Sequence, residues 1–81
     1  MNDADILSKV RELVDEEHVL RASAAAGTID VKEEHQRLQR LEQSLDQCWD
    51  LLRQRDARRD AGKDPNPAKV RGVDEVEGYL Q

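Results

Sequence analysis

Apolar residues recur every three or four positions through the first 25 residues, which is the spacing of a helix with one apolar side. The apolar positions are Ile6, Leu7, Val10, Leu13, Val14 and Leu20. A repeat near 3.5 residues is typical of a helix that packs along another helix, as in a coiled coil. The pattern predicts a first helix over residues 3–25, capped at its start by Asn2 or Asp3.

A second apolar series begins after Gly27, a residue that readily adopts the left-handed backbone found at helix ends. Asp30 precedes Glu33 by three residues, which is a start signal for a new helix. The series forms two heptad rows, Val31, Leu38, Leu45 and Leu52 in one and Glu34, Leu41, Cys48 and Arg55 in the other, with Trp49 and Leu51 at their edges. The pattern predicts a second helix over residues 31–61, ended by Gly62.

The short connection between these helices favours an antiparallel hairpin over residues 1–63. Residues 1–34 carry nine acidic and four basic side chains, whereas residues 35–72 carry six acidic and nine basic ones. An antiparallel arrangement would place the basic end of the second helix beside the acidic start of the first. Because so thin an apolar stripe makes a poor core, we expect an all-α homodimer that forms a four-helix bundle.

Residues 64–81 differ in character from the hairpin. Asp64–Pro67 contains two prolines and prevents the second helix from continuing. The apolar residues beyond it are Val70, Val73, Val76, Tyr79 and Leu80. We expect this tail to dock on the hairpin, on a second subunit or on a partner. Asp74 is predicted to cap one helical turn through Glu77, and Gly78 to end that turn.

Composition excludes several classes of protein. The 81 residues are 38% charged and 37% hydrophobic, with a net charge of -5. No apolar run approaches the roughly 20 residues that span a bilayer, and no signal-like apolar segment follows Met1. The single cysteine cannot form an internal disulfide, so we expect a reducing, cytoplasmic location. The acidic balance disfavours binding to nucleic acid.

The sequence offers little catalytic chemistry. It contains no Gly-rich phosphate loop, no nucleophile elbow and no zinc-type spacing of cysteines and histidines. Cys48 lies on a helix seam, where a cysteine behaves as a small apolar residue. A thin hairpin also has little concave volume for a substrate. We therefore expect a protein that is not an enzyme by itself and that carries no cofactor.

A metal site is the alternative interpretation. Glu17 and Glu34 would fall at similar heights on either side of the turn, and His18 and His35 follow them directly. Inward-facing Glu and His are the ligands of carboxylate-bridged metal sites in helical bundles. Those sites use Glu-x-x-His, however, which places both ligands on one side of the helix. Adjacent residues point about 100° apart, so the sequence favours a dipole-stabilising role for the glutamates.

Five residues are candidates for contact with a protein partner: Trp49, Arg53, Val76, Tyr79 and Leu80. Trp49 either fills the core between two hairpins or anchors a partner, since Trp and Tyr are common at interface hot spots. Arg53 begins a basic cluster that extends to Lys63. The cluster is interpreted as a solvated helix end, where cations favour the dipole, or as a patch that binds phosphate or acidic groups.

Two segments resemble a known family. They are Leu45–Arg55, which reads LDQCWDLLRQR, and Glu75–Gln81, which reads EVEGYLQ. Both are similar to segments of a family of small actinobacterial proteins classed only as a domain of unknown function. The similarity extends over nearly the whole chain. It implies a bacterial cytoplasmic protein and implies no activity, cofactor or catalytic residue.

Overall fold

The computed structural model describes residues 1–80, with side chains through Tyr79. These residues form three helices and no strand: α1 spans Asp3–Ala25, α2 spans Val31–Asp60 and α3 spans Val73–Leu80. The described part of the chain is therefore all-helical.

Side chains cap the first two helices at their N-terminal ends. The Asn2 side chain accepts a hydrogen bond from the Asp5 backbone N–H at 2.8 Å, and the Asn2 N–H donates to the Asp5 carboxylate at 3.2 Å. The Asp30 carboxylate accepts from the Glu33 N–H at 2.7 Å. These contacts satisfy backbone donors that have no partner within the helix, so each helix start is determined locally.

The C-terminal ends of α1 and α2 are followed by Gly27 and Gly62, with φ of 75° and 73°. Gly78 behaves differently, and the prediction that it ends a helical turn is wrong. It lies inside α3, which continues to Leu80. A glycine permits the left-handed backbone but does not impose it. Contacts from Val76 and Tyr79 hold α3 in place on both sides of Gly78.

The contact between α1 and α2 forms most of the core. Its fully or nearly buried apolar residues are Ile6, Val10, Leu13, Leu20 and Leu51. Asp3, in the first turn of α1, pairs with Arg55 near the end of α2. Leu20, near the end of α1, lines one groove with Leu41 from the first half of α2.

Of the two predicted rows of α2, the one with Leu41, Cys48 and Arg55 faces α1, joined by Leu51, whereas the row that begins at Val31 does not. Leu51, predicted to lie at the edge of the seam, is only 4% exposed. Leu38, Leu45 and Leu52 are half-buried, and Val31 is exposed. A single neighbouring helix covers only one side of α2, and α1 lies against the side that carries Leu51 and Arg55. The row that begins at Val31 is therefore turned partly to solvent.

The third helix packs against α2 and, within the described residues, makes no contact with α1. Val76 is fully buried in this contact. The Cα positions extend over 51 × 26 × 14 Å with a radius of gyration of 15.2 Å, against about 12 Å for a compact domain of this length. The three helices thus form an elongated layer with α2 in the middle. No helix within residues 1–80 is long and apolar enough to cross a membrane.

Candidate functional site

A buried aspartate on α2 fastens the segment before α3. The Asp50 carboxylate is 3.2 Å from Nε of Arg71 and accepts a hydrogen bond from the Gln54 side chain at 2.9 Å. Gln54 also donates to the Lys69 carbonyl at 2.8 Å, and Gln47 donates to the Arg71 carbonyl at 3.1 Å. Residues spaced three and four apart share one side of a helix. This side of α2 therefore binds both the backbone and a side chain of the segment before α3.

Arg71 links this junction to an exposed aromatic residue. Its guanidinium lies 5.2 Å from the centroid of the Tyr79 ring and donates a hydrogen bond to the Tyr79 hydroxyl. Tyr79 nevertheless remains 59% exposed. A shallow depression of about 440 Å³ lies beside it, lined by Asp50, Arg53, Gln54, Ala57, Arg71 and Tyr79. A cation and an aromatic ring thus border one surface depression.

Trp49 extends this surface along α2. It is 43% exposed and precedes Arg53 by one helical turn. Its side chain is therefore not enclosed within this chain.

The other predicted contact residues lie in different surroundings. Arg53 and Tyr79 are exposed, whereas Val76 is fully buried between α3 and α2. Val76 therefore holds α3 in place and is not part of the exposed surface. The side chain of Leu80 lies outside the described residues.

The α3 contact also brings acidic groups together. Oε1 of Glu77 is buried and has no hydrogen-bond partner among the described residues. The pKa of Glu77 is raised, first by its contact with the Asp46 carboxyl group, then by burial and by the charges of Asp46 and Glu42. Two carboxyl groups can share a hydrogen bond only when one of them holds a proton. We therefore expect the α3 contact to depend on the protonation of Glu77.

A second ionic cluster joins the start of α1 to the end of α2. Arg55 is only 4% exposed and donates to the Asp3 carboxylate at 2.5 Å and to the Met1 carbonyl at 2.9 Å. It also donates to the Asn66 side chain at 3.4 Å. Arg59 lies 2.7 Å from Asp3, and hydrogen bonds from Arg59 and Arg55 lower the Asp3 pKa.

The sequence left this basic cluster as either a solvated helix end or a patch that binds phosphate or acidic groups, and for Arg55 the solvated interpretation is wrong, because it is only 4% exposed. Arg55 did occupy a predicted seam row, and an arginine in such a row was the signal for a buried pair. Arg58, in the same cluster, donates to the Asp64 carbonyl. Part of the cluster therefore binds the chain itself.

The four residues considered as metal ligands, Glu17, His18, Glu34 and His35, do not form a cluster. Glu17 pairs with Arg21 at 3.1 Å, one helical turn away. His18 and His35 are exposed, and Glu34 is half-buried. Within residues 1–80, no three His, Cys, Asp or Glu side chains are grouped so that they could hold a metal ion.

Two clefts lie between α1 and α2 on the side that the segment before α3 approaches. The larger, of about 540 Å³, lies near the turn and has Val19, Leu20, Ile29 and Leu41 among its apolar lining residues. The smaller, of about 230 Å³, is bordered by Cys48 and by Val70 of that segment. Burial raises the pKa of the Cys48 thiol, which disfavours the reactive thiolate.

Comparison with known proteins places the chain among relatives of unknown function. The family described as "Protein of unknown function (DUF2630)" matches residues 2–81. The chain is 54% identical over 77 residues to "Uncharacterized protein Mb0922c" of Mycobacterium bovis and to "Uncharacterized protein Rv0898c" of Mycobacterium tuberculosis. Each match covers 95% of this chain and 88% of the relative. These matches confirm the resemblance to small actinobacterial proteins. No solved structure matches the chain significantly.

Proposed function

This chain belongs to the DUF2630 family, and we propose that it is a non-enzymatic protein–protein interaction module. The observation that carries the proposal is a surface formed by Trp49, Arg53 and Tyr79. All three side chains are exposed, and Arg53 and Tyr79 border one depression. Trp, Tyr and Arg are the residue types that dominate binding energy at protein interfaces.

The support for this surface is an antiparallel hairpin. The contact of Asp3 with Arg55 joins the first turn of α1 to the end of α2. The groove shared by Leu20 and Leu41 joins the opposite ends of the same helices. The arrangement presents one long side of α2, to which the segment before α3 is fastened through Asp50. A rigid support lowers the entropy that a binding surface loses when a partner docks.

The chemistry of the titratable groups favours binding over catalysis. The raised pKa of Cys48 disfavours a nucleophilic thiolate. Asp50 and Arg55, the charged residues buried in the described part of the chain, are both engaged in ion pairs that hold the fold together. A free, half-buried thiol fits a reducing cytoplasm. The net charge of -5 favours a protein partner over a nucleic acid.

Site-specific photocrosslinking tests the proposal. A photoreactive phenylalanine analogue replaces Tyr79 in cells of a mycobacterial host, and the same analogue replaces Val31 as a control. Val31 is 81% exposed but lies at the start of α2, away from the proposed surface. We expect a covalent adduct with a second protein from position 79 and none from position 31. We also expect Arg53→Glu to abolish the adduct, because it reverses the charge that a partner carboxylate would meet.

Two results would contradict the proposal. One is equal adduct formation at both positions, which would indicate collision without recognition. The other is the absence of any adduct at position 79 while circular dichroism shows native helix content.

A further inference from the structure

Each of the two long helices carries a second row of residues beside the contact between α1 and α2, exposed on α1 and in part half-buried on α2. On α1 the row is Leu7, Arg11, Val14, His18 and Arg21. On α2 the row is Leu38, Glu42, Leu45, Trp49, Leu52 and Asp56. Successive members are three or four positions apart, which is the spacing of a helix side that faces another helix. Leu7, Val14 and Trp49 are 39%, 37% and 43% exposed.

The two rows lie on the same side of the chain. Ile6 and Leu51 are both buried where α1 meets α2. The next residues, Leu7 and Leu52, are each rotated by about 100° around their own helix. Because the helices run in opposite directions, these two rotations bring both side chains to one common face.

The segment before α3 lies on a different side of α2. Asp50 precedes Leu51 and is rotated the opposite way, and it is the residue that pairs with Arg71. The common face therefore points away from the segment that Arg71 fastens. We name it the bare face, defined by the two rows above.

The shape of the chain indicates that something covers the bare face. Stable domains have two packed layers around a core, whereas here α1 and α3 both contact α2 and do not contact each other. The broad side of the layer measures 51 × 26 Å. That side is large enough for the roughly 800 Å² per partner that a standard interface buries.

The residues of the bare face favour a second copy of this chain as the occupant. The α1 row carries Arg11 and His18 between its apolar residues, and the α2 row carries Glu42. Arg21 and Asp56, also in these rows, already pair with Glu17 and Arg59 within the chain. A helix with basic groups in its apolar row matches a helix with acidic groups in the corresponding row. Both are present in one chain, so two copies complement each other.

We propose that two chains pack through their bare faces, with α1 of one protomer against α2 of its partner. The Asp3–Arg55 contact fixes the register of α1 along α2. In this register Leu7 lies level with Leu52 along the helix axes, and Val14 lies level with Leu45. A two-fold axis parallel to the helices then gives two apolar layers. Between them, Arg11 meets the partner's Trp49, as in a cation–π contact, and His18 meets the partner's Glu42. The inference rests on the proposed function, since it names the protein that binds the Trp49 end of that surface.

Sedimentation velocity of the full chain, from micromolar to submillimolar concentrations, tests the proposal. We expect a species of twice the 9.3 kDa chain mass. Val14→Lys places a charge in an apolar layer and is expected to weaken association at least about tenfold. Val19→Lys is the matched control, because Val19 is 66% exposed and lies on α1 in the groove on the other side. It is expected to leave association unchanged.

A second set of variants tests the arrangement of the helices. His18→Glu sets a like charge against the partner's Glu42 and is expected to weaken the dimer. Glu42→Lys in the same chain is expected to restore association, because residues 18 and 42 then carry opposite charges. Leu7→Lys repeats the Val14→Lys test at another apolar layer if Val14→Lys lowers the helix content.

Three outcomes would overturn the proposal. They are a single-chain mass at every concentration, equal weakening by Val14→Lys and Val19→Lys, and a dimer that no bare-face variant weakens. A single-chain mass leaves the crosslinking result at position 79 unaffected, because Tyr79 is not part of the bare face. Failure of this inference and failure of the proposed function are therefore distinguishable.

Discussion

The two neighbours of α2 are held by opposite kinds of electrostatic contact. At the α1 contact, a buried arginine meets an aspartate and a backbone carbonyl, so opposite charges and dipoles meet. At the α3 contact, Arg71 pairs with Asp50, but Glu77 also faces Asp46 and Glu42. The first contact is favourable with every group in its ordinary charge state. The second includes a repulsion that only a proton relieves.

The two contacts also differ in the apolar surface that supports them. Four apolar side chains of α1 are buried, namely Ile6, Val10, Leu13 and Leu20, whereas among the described side chains of α3, which end at Tyr79, Val76 is the buried one. An eight-residue helix is too short to be stable without its packing partner. Helix α3 is therefore expected to open locally while α1 and α2 stay folded, as weakly supported segments do in other proteins. The proposed contact surface would lose Tyr79 in that open state.

The largest expected effect comes from breaking the α1 contact. Arg55→Met removes the charge that satisfies Asp3 and the Met1 carbonyl, and we expect a loss of about 2 kcal/mol in the free energy of unfolding. Urea denaturation followed by circular dichroism measures this loss in the free energy of unfolding. Arg53→Met is the control, since Arg53 is exposed, and its effect should stay within about 0.5 kcal/mol. Equal effects of the two changes would show that the Arg55 cluster does not stabilise the α1 contact.

A smaller, local effect is expected at the α3 contact. Val76→Asp places a charge at a fully buried apolar position of α3, so α3 should detach. Hydrogen exchange of the amides in residues 73–80 should rise at least about tenfold, with little change in α1 and α2. Val31→Asp, at an exposed position, should change neither the hydrogen exchange of residues 73–80 nor that of α1 and α2. Global unfolding of the Val76→Asp variant would contradict the difference in strength between the two contacts.

The smallest effect concerns pH and has opposite signs at the two contacts. The raised pKa of Glu77 means that its proton stabilises α3 docking below the ordinary value of about 4.3. That stabilisation is lost as pH rises through the raised pKa. The lowered pKa of Asp3 means that the α1 contact is complete above about 3.9 and is lost as pH falls through the lowered pKa. Acid should therefore tighten α3 before it loosens α1.

Glu77→Gln tests this difference at neutral pH. The amide cannot ionise and can donate to Asp46, so the undocked fraction of α3 should fall severalfold and lose its pH dependence. The methyl resonances of Val76 in NMR spectra report docking directly. Asp74→Asn removes an exposed charge from the same helix and serves as the control. An undocked fraction that rises in Glu77→Gln would mean that the carboxylate itself holds α3 in place.

The starts of the first two helices were predictable from the sequence because their signals are local. Asn2 and Asp30 bond to backbone N–H groups only three residues away, and Gly27 sits where the chain must turn. Whether Trp49 and Val76 are exposed or buried could not be predicted from local signals in this way. Both lie in apolar patterns, and a pattern identifies a helix side without identifying its neighbour. Trp49 proved exposed and Val76 buried because α3 packs on only one side of α2.

The sequence by itself determined the first two helical segments, their N-terminal caps and the apolar rows along them, because these features depend on residues within one or two turns. For α3 it predicted only one turn, whereas the helix continues through Gly78. Only the tertiary structure decided which row each helix turns inward. Leu51 and Arg55 face α1, and the row containing Leu45 faces outward, because the contacts of Asp3 and Ile6 fix the rotation of one helix against the other. A rotation about the helix axis leaves every local interaction unchanged. Which rotation a helix adopts therefore depends on contacts between residues far apart in the chain, such as Asp3 and Arg55.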